Sequence, residues 1–171
     1  MRLFFALWPD PDVTRQLTHV AVPLDLDNRS RRIDPKNYHM TLAFVGEVAA
    51  AKLAVLQQIG RSICEPRFTV ECDSIEYWRK SQVVVAAATA APPGLLDLWT
   101  TLHEAIGLPR EQLRAHVTLA RKVTQASVPQ AMSKVVWRAT SFSLIRSDTG
   151  GAESAYTVLD TWPLLDKPEN P

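Results

Sequence analysis

The sequence predicts an α+β fold: two pseudo-symmetric lobes, each an antiparallel sheet with outer helices, around a central cleft. Segments of two-residue apolar period alternate with segments of helical spacing, in two blocks of similar order. The pentapeptide His39-Met40-Thr41-Leu42-Ala43 recurs in the second block as His116-Val117-Thr118-Leu119-Ala120, with only its second position changed and that one apolar in both copies. At 171 residues with 46% hydrophobic and 22% charged, the chain can build a core without disulfides or a structural metal. No linker separates the blocks, so residues 1–165 are expected to form a single bilobal domain, with residues 166–171 a frayed tail.

Residues 2–8, apolar from Leu3 onward, read as a strand. Asp10 can cap a helix whose first position is Pro11, which supplies an acceptor and the right φ together, and the helix is expected to reach about Val20. Residues 23–37 are polar and basic and read mostly as loop. Residues 39–45 read as a strand closed by Gly46, and residues 49–62, rich in Ala, Leu and Gln, as a helix. Residues 67–73 alternate as a strand and residues 82–89 form a strongly apolar one. Residues 92–106 start with proline and carry Leu95, Leu98, Trp99, Leu102 and Ile106 on one helical face. Residues 116–123 are again a strand. Residues 140–147 and 156–162 are the closing strands, joined by a loop holding Gly150 and Gly151.

Composition excludes several functions. With 19 Lys+Arg against 18 Asp+Glu, the formal charge is +1, too small to hold duplex nucleic acid by bulk charge. The 6 glycines sit at positions from which neither a GxGxxG nor a Walker A loop can be built. Cys64 and Cys72 match no CxxC or zinc spacing, and two buried thiols in a reducing compartment are expected. The opening apolar run is shorter than a signal-peptide core and lacks a small-residue cleavage site. The longest charge-free stretch, residues 81–96, is too short to span a bilayer and is interrupted by Pro92-Pro93-Gly94. A cytoplasmic protein with no membrane contact is the expectation.

The repeat carries the chemistry. Strand alternation puts His39, Thr41 and Ala43 on one face and Met40, Leu42 and Phe44 on the other; likewise His116 and Thr118 lie opposite Val117 and Leu119. The apolar faces pack under helices, and the His/Thr faces line the cleft. Imidazole titrates near pH 6.5, so one neutral and one protonated copy can coexist near neutrality. One can accept a proton from a nucleophile while the other donates to a leaving group. The two threonine hydroxyls can donate to non-bridging phosphate oxygens. Arg29, Arg31, Arg32 and Lys36 precede the first copy; Arg114, Arg121 and Lys122 surround the second. The set suits phosphodiester cleavage without a metal or cofactor.

Two HxT strands in a chain of this size resemble the 2H phosphoesterase superfamily, and more closely the RNA 2′,3′-cyclic phosphodiesterase family, historically called 2′-5′ RNA ligases. The resemblance rests on Arg2-Leu3-Phe4-Phe5-Ala6-Leu7 as first strand, on His39 through Gly46 as first motif and turn, on His116-Val117-Thr118-Leu119-Ala120-Arg121 as second motif, and on residues 144–147 and 156–162 as closing hairpin. It implies hydrolysis of RNA 2′,3′-cyclic phosphate ends to 2′-phosphates. It further implies His39 as proton donor, His116 as proton acceptor, and Thr41, Thr118 and Arg121 as substrate-binding residues, with no metal. If an RNA 5′-hydroxyl replaces water, the same proton transfers run as ATP-independent 2′-5′ ligation. The partner expected is RNA with a 2′,3′-cyclic phosphate end, and the chain is expected to act as a monomer.

Competing readings are a 2H enzyme acting on small cyclic nucleotides or an ADP-ribose cyclic phosphate, and a non-catalytic RNA-binding module. The second does not require paired titrating imidazoles. Strict alternation also puts Arg121 on the face opposite His116, so it reaches the cleft only if the strand ends, bends or bulges near Ala120. The basic run before His39 reads equally as solvated loop or RNA-backbone contact. Trp78 reads as a base-stacking platform or a strand-end core aromatic. Trp8, Trp99, Trp137 and Trp162 read as core or partly buried, and His19 and His103 as surface or packing residues.

Overall fold

The apolar run that opens the chain becomes an inner strand of the first sheet. A computed structural model describes residues 1–109, 111–129, 132–148 and 155–166. In chain order its elements are β1 (Arg2–Leu7), α1 (Pro11–Ala21), β2 (Asp25–Leu26), β3 (Arg31–Arg32), a 3₁₀ turn at Pro35–Asn37, β4 (Met40–Glu47), α2 (Ala51–Ser62), β5 (Phe68–Cys72), β6 (Ser74–Trp78), β7 (Val83–Ala87), α3 (Pro93–Ile106), β8 (His116–Arg121), β9 (Ala126–Ser127), β10 (Val135–Ala139), β11 (Ser141–Asp148) and β12 (Ala155–Pro163). One antiparallel sheet runs β12-β11-β1-β4 and the other β3-β8-β7-β6, with the short pairs β10-β5 and β2-β9 beside them. The repeated strands β4 and β8 thus belong to different sheets, and they lie against each other. Their apolar residues, Met40 and Leu42 from one and Val117 and Leu119 from the other, enter a common core with Phe5, Phe142 and Leu98.

Local chemistry sets the boundaries. The Asp10 carboxylate accepts the Val13 N–H at 2.8 Å, with Pro11 at the first helical position, as the sequence predicts for α1. Gly107 closes α3 in the left-handed region, φ 78°, and its N–H bonds the carbonyls of His103 and Glu104. The stretch read as loop does hold only two-residue strands and the 3₁₀ turn, yet it is firmly tied. Arg32 donates to the carbonyls of Ala21 and Leu24 past the end of α1. Asp27 accepts the N–H groups of Thr124 at 2.8 Å and Gln125 at 3.0 Å, and the Gln125 bond leads in holding its carboxyl far below the usual range. Arg32 therefore serves the fold.

Strands β6 and β10 were not foreseen, and β8 stops at Arg121 because Lys122 takes a left-handed φ of 56°. The expectation for the cysteines is half right: Cys72 is buried, but Cys64 is exposed, since Ile63 takes the inward position where α2 ends. No described helix is long and apolar enough to cross a membrane. The Gly150-Gly151 loop and residues 167–171 lie outside the described residues.

Helix α2 approaches the first sheet through Gly60. A Cβ there would lie 2.4–2.5 Å from the Trp162 ring, which packs on Phe5 and Phe142. Gly60→Ala gains about 1 kcal/mol of helix propensity but overpacks an aromatic cluster at about 1–3 kcal/mol. A net loss is expected, read as a lower Tm and a lower denaturant midpoint; an unchanged midpoint would mean that Trp162 moves aside freely.

Candidate active site

Both repeated histidines are anchored in the same way. His39 Nδ1 lies 2.7 Å from the Asn37 carbonyl, and His116 Nδ1 lies 2.6 Å from the Arg114 carbonyl. A carbonyl only accepts, so each Nδ1 carries the proton, and each Nε2 is left to exchange one. The anchor two residues upstream is a backbone group, which is why both halves can build it from different side chains.

The surroundings differ. His39 sits in an aromatic cage: stacked on Trp8 at 5.5 Å between ring centres, with Phe4 at 5.1 Å and Tyr156 edge-on at 5.0 Å. Burial in this cage pulls its pKa down to about 4, against the Asn37 hydrogen bond, and the charges of Arg121 and His116 push the same way as burial. His116 packs against Trp78 at 4.5 Å. Trp78 in turn donates from Nε1 to Glu76 at 2.5 Å, and the Arg114 guanidinium lies 3.7 Å over its ring while bonding the same carboxylate. Burial lowers the His116 pKa as well, the Arg114 carbonyl opposes it, and the nearby charges of Arg114 and Glu76 act in opposite directions.

Alternation fails at the same place in both strands. Ala6 pairs with Thr41 and Phe5 with Ala43, so Leu42 is an extra residue in β4. Val85 pairs with Thr118 and Val84 with Ala120, so Leu119 is an extra residue in β8. Each bulge turns Leu and the following Ala both inward, where all four are buried. The residue after them is thereby swung onto the histidine face. This is how Arg121 reaches the cleft. It also corrects the expected faces in β4: Ala43 belongs to the core, and Phe44, expected opposite His39, stands beside it with 49% of its surface exposed. Phe44 is thus the first-half counterpart of Arg121, and the Arg2 guanidinium rests 4.8 Å from its ring centre.

Two adjoining hollows result. The first, about 180 Å³, is lined by His39, Thr41, Phe44, Tyr156, Arg2 and Arg121 among others. The second, about 430 Å³, is lined by His116, Thr118, Trp78, Gln82, Lys122 and again Arg121. Arg121 stands where they meet, its guanidinium 3.5 Å from the Tyr156 hydroxyl. The residues singled out from the repeat are therefore divided between the hollows as His39/Thr41 and His116/Thr118, with Arg121 common to both. Among the described residues no group of His, Cys, Asp or Glu is placed to hold a metal ion.

Sequence reasoning missed Phe44 and the cage of Phe4, Trp8 and Tyr156. The consecutive Leu-Ala after each threonine, apolar where alternation calls for an outward residue, was the available sign of the bulge. The cage gave no sign, because it joins strands from opposite ends of the chain. His19 is exposed, as expected. The ring nitrogens of His103 lie 3.2 Å from the Leu42 carbonyl and 3.0 Å from that of Pro109, so this packing residue holds α3 to the bulge of β4.

The family model described as LigT like Phosphoesterase matches residues 7–85. An RNA 2′,3′-cyclic phosphodiesterase of Escherichia coli (strain K12) is 29% identical, over 95% of this chain and 96% of its own length. The crystal structure of E. coli LigT complexed with NADP+ superposes with a TM-score of 0.86 at 31% identity, covering 95% of this chain and 97% of that one. The complex of E. coli LigT with 3′-AMP gives 0.87 at 28% identity, over 95% and 97%. Such likeness along nearly the full length of both chains, on a fold that sets the two repeated strands against each other, means that this chain belongs to the LigT-like phosphoesterase family.

Proposed function

We propose that the protein hydrolyses RNA 2′,3′-cyclic phosphate ends to 2′-phosphates, with His39 as proton donor and His116 as proton acceptor, and without a metal or cofactor. The observation that carries this reading is the matched pair of Nδ1-anchored histidines, each with its threonine, on either side of Arg121. The names of the relatives support the substrate. The phosphorus would sit by Arg121, its non-bridging oxygens taking hydrogen bonds from Thr41, Thr118 and the guanidinium. His116 Nε2 takes a proton from water as the oxygen attacks phosphorus. The P–O3′ bond breaks, and His39 Nε2–H protonates the departing O3′. Phe44, backed by Arg2, offers a flat surface for the base on the His39 side. With an RNA 5′-hydroxyl in place of water, the same steps make a 2′-5′ linkage, but abundant water favours hydrolysis. Residues 1–165 act as one unit, and as a monomer.

The test offers the purified protein a short RNA with a 2′,3′-cyclic end in the presence of EDTA. A 2′-phosphate product is expected. A 3′-phosphate would require the opposite leaving group, and activity lost to EDTA but restored by a metal would overturn the metal-free reading. The same assay has a definite pH sign. The free protein must hold His39 protonated, though burial takes its pKa to about 4, and His116 neutral, which its own lowered pKa favours. Thus kcat/KM should peak below about pH 6.5 and fall about tenfold per unit above it. The profile of kcat should lie at higher pH, because bound phosphate and the π faces of the cage favour the imidazolium. A kcat/KM that rises between about pH 6.5 and 8 would exclude a protonated histidine from the reaction.

A further inference from the structure

We propose that Glu76 is a positioning residue for His116: through Trp78 and Arg114 it holds in place the backbone carbonyl that fixes the tautomer of the imidazole. The inference rests on the role given to His116 above, and it assigns a part in that role to a carboxylate outside the repeated strand.

The two histidines share one kind of anchor but not one kind of support. Asn37, whose carbonyl faces His39, belongs to the 3₁₀ turn at Pro35–Asn37. Its N–H bonds the Asp34 carbonyl at 2.8 Å, and the Asp34 carboxylate caps the turn through the Lys36 N–H at 3.0 Å. The backbone there is fixed locally. Arg114 lies in irregular chain between α3 and β8, and β8 begins only at His116. The chain is caught at Ala115, whose carbonyl accepts the Ala88 N–H at 3.0 Å. The peptide before it carries the Arg114 carbonyl and is steered by the Arg114 side chain.

That side chain closes a circuit. Strand β7 stands between β6 and β8, with Glu76 opposite Val85 and Val85 opposite Thr118. Glu76 is thus on the face of the sheet that carries Thr118, but two strands, or about 10 Å, away from it. It spans the gap to His116 with two neighbours. Its Oε2 accepts the Trp78 Nε1–H at 2.5 Å and a guanidinium N–H of Arg114 at 3.3 Å. The guanidinium lies 3.7 Å over the Trp78 ring, and that ring packs on His116 at 4.5 Å. The Arg114 carbonyl then takes the Nδ1–H of His116 at 2.6 Å. One carboxylate oxygen therefore holds both the surface on which the imidazole rests and the residue whose carbonyl orients it.

Among the described residues that line the two hollows, neither Glu76 nor Arg114 appears, so their effect passes through His116. Their side chains are 37% and 59% exposed, and an ion pair so open to water adds little to stability. Substituting either should leave the fold standing. Their charges also separate position from electrostatics. On His116 the charge of Arg114 and that of Glu76 act in opposite directions, so an effect of charge alone would give Glu76→Ala and Arg114→Ala opposite signs. Positioning gives both the same sign, because each removes one end of the same support. Arg114→Ala also keeps the carbonyl itself, which is main chain.

The experiment compares Glu76→Ala, Glu76→Gln and Arg114→Ala on a nucleoside 2′,3′-cyclic monophosphate, and reads the ring-nitrogen NMR shifts of His116 without substrate. Both alanine variants should lose about 10- to 10²-fold in kcat with little change in KM. In both, the two ring nitrogens of neutral His116 should move toward a common shift, as the proton is shared between Nδ1 and Nε2. Glu76→Gln keeps an oxygen for the indole and the guanidinium and should recover most of the rate, which also keeps the test intact should Glu76→Ala fold poorly. Adding Glu76→Ala to His116→Ala should cost less than about twofold more, since the group it positions is already gone. Opposite signs in the two alanine variants would hand the role to charge and overturn positioning. Unchanged ring shifts, or a full further loss in the double variant, would overturn it too. If wild type does not turn over the cyclic phosphate, the proposed reaction falls, while the ring shifts still decide whether Glu76 holds the tautomer.

Discussion

His39→Ala and His116→Ala should each lower cyclic phosphate hydrolysis at least about 10²-fold, with the fold intact by circular dichroism. Each imidazole has an Nδ1 already committed to a carbonyl, so removing the ring removes the Nε2 left to exchange a proton. Because the anchoring is the same in both halves, the loss of rate alone does not say which is acid and which is base. A substrate with a good leaving group does. A diester that expels nitrophenolate needs no proton donor, so its hydrolysis should be largely restored in His39→Ala and remain crippled in His116→Ala. Rescue of the His116 variant instead would exchange the two roles. Near-normal turnover of the RNA substrate in either variant would take that histidine out of the mechanism.

Arg121→Ala should cost about 10²–10³ in kcat/KM, the range for losing a preorganised donor to a developing oxyanion. Arg121 is common to both hollows, and it is the cation that the bulge of β8 delivers to the site. Its loss also removes one charge that disfavours His39⁺, so the alkaline limb of kcat/KM should move slightly upward while the rate falls. Arg121→Lys should recover only part of the rate, because an ammonium is a point charge without the planar fork that spans two phosphate oxygens. A variant within threefold of wild type would place the guanidinium outside the reaction.

The sequence made the repeated strands visible because their signal is local: a His-x-Thr pattern on a short period, inside segments already apolar enough to be strands. It also exposed the conflict at Arg121, since alternation is a strict rule that one residue either obeys or breaks. What stayed hidden depends on departures from that rule or on distance. Phe44 was put on the wrong face by one inserted residue at Leu42. Phe4, Trp8 and Tyr156 meet around His39 only after β1 and β12 take their places in the same sheet. Strand β10 had a readable alternation in Val135, Trp137 and Ala139, buried in turn with exposed Val136 and Arg138, whereas β6 shows only Ile75 fully inward.

The twin bulges leave one more consequence. Had both swung the same residue type into the cleft, the two ends would differ only in what surrounds their histidines. With an aromatic ring in one slot and a guanidinium in the other, the doubled strand has unlike ends, and the proposed reaction is given a direction by the same two insertions.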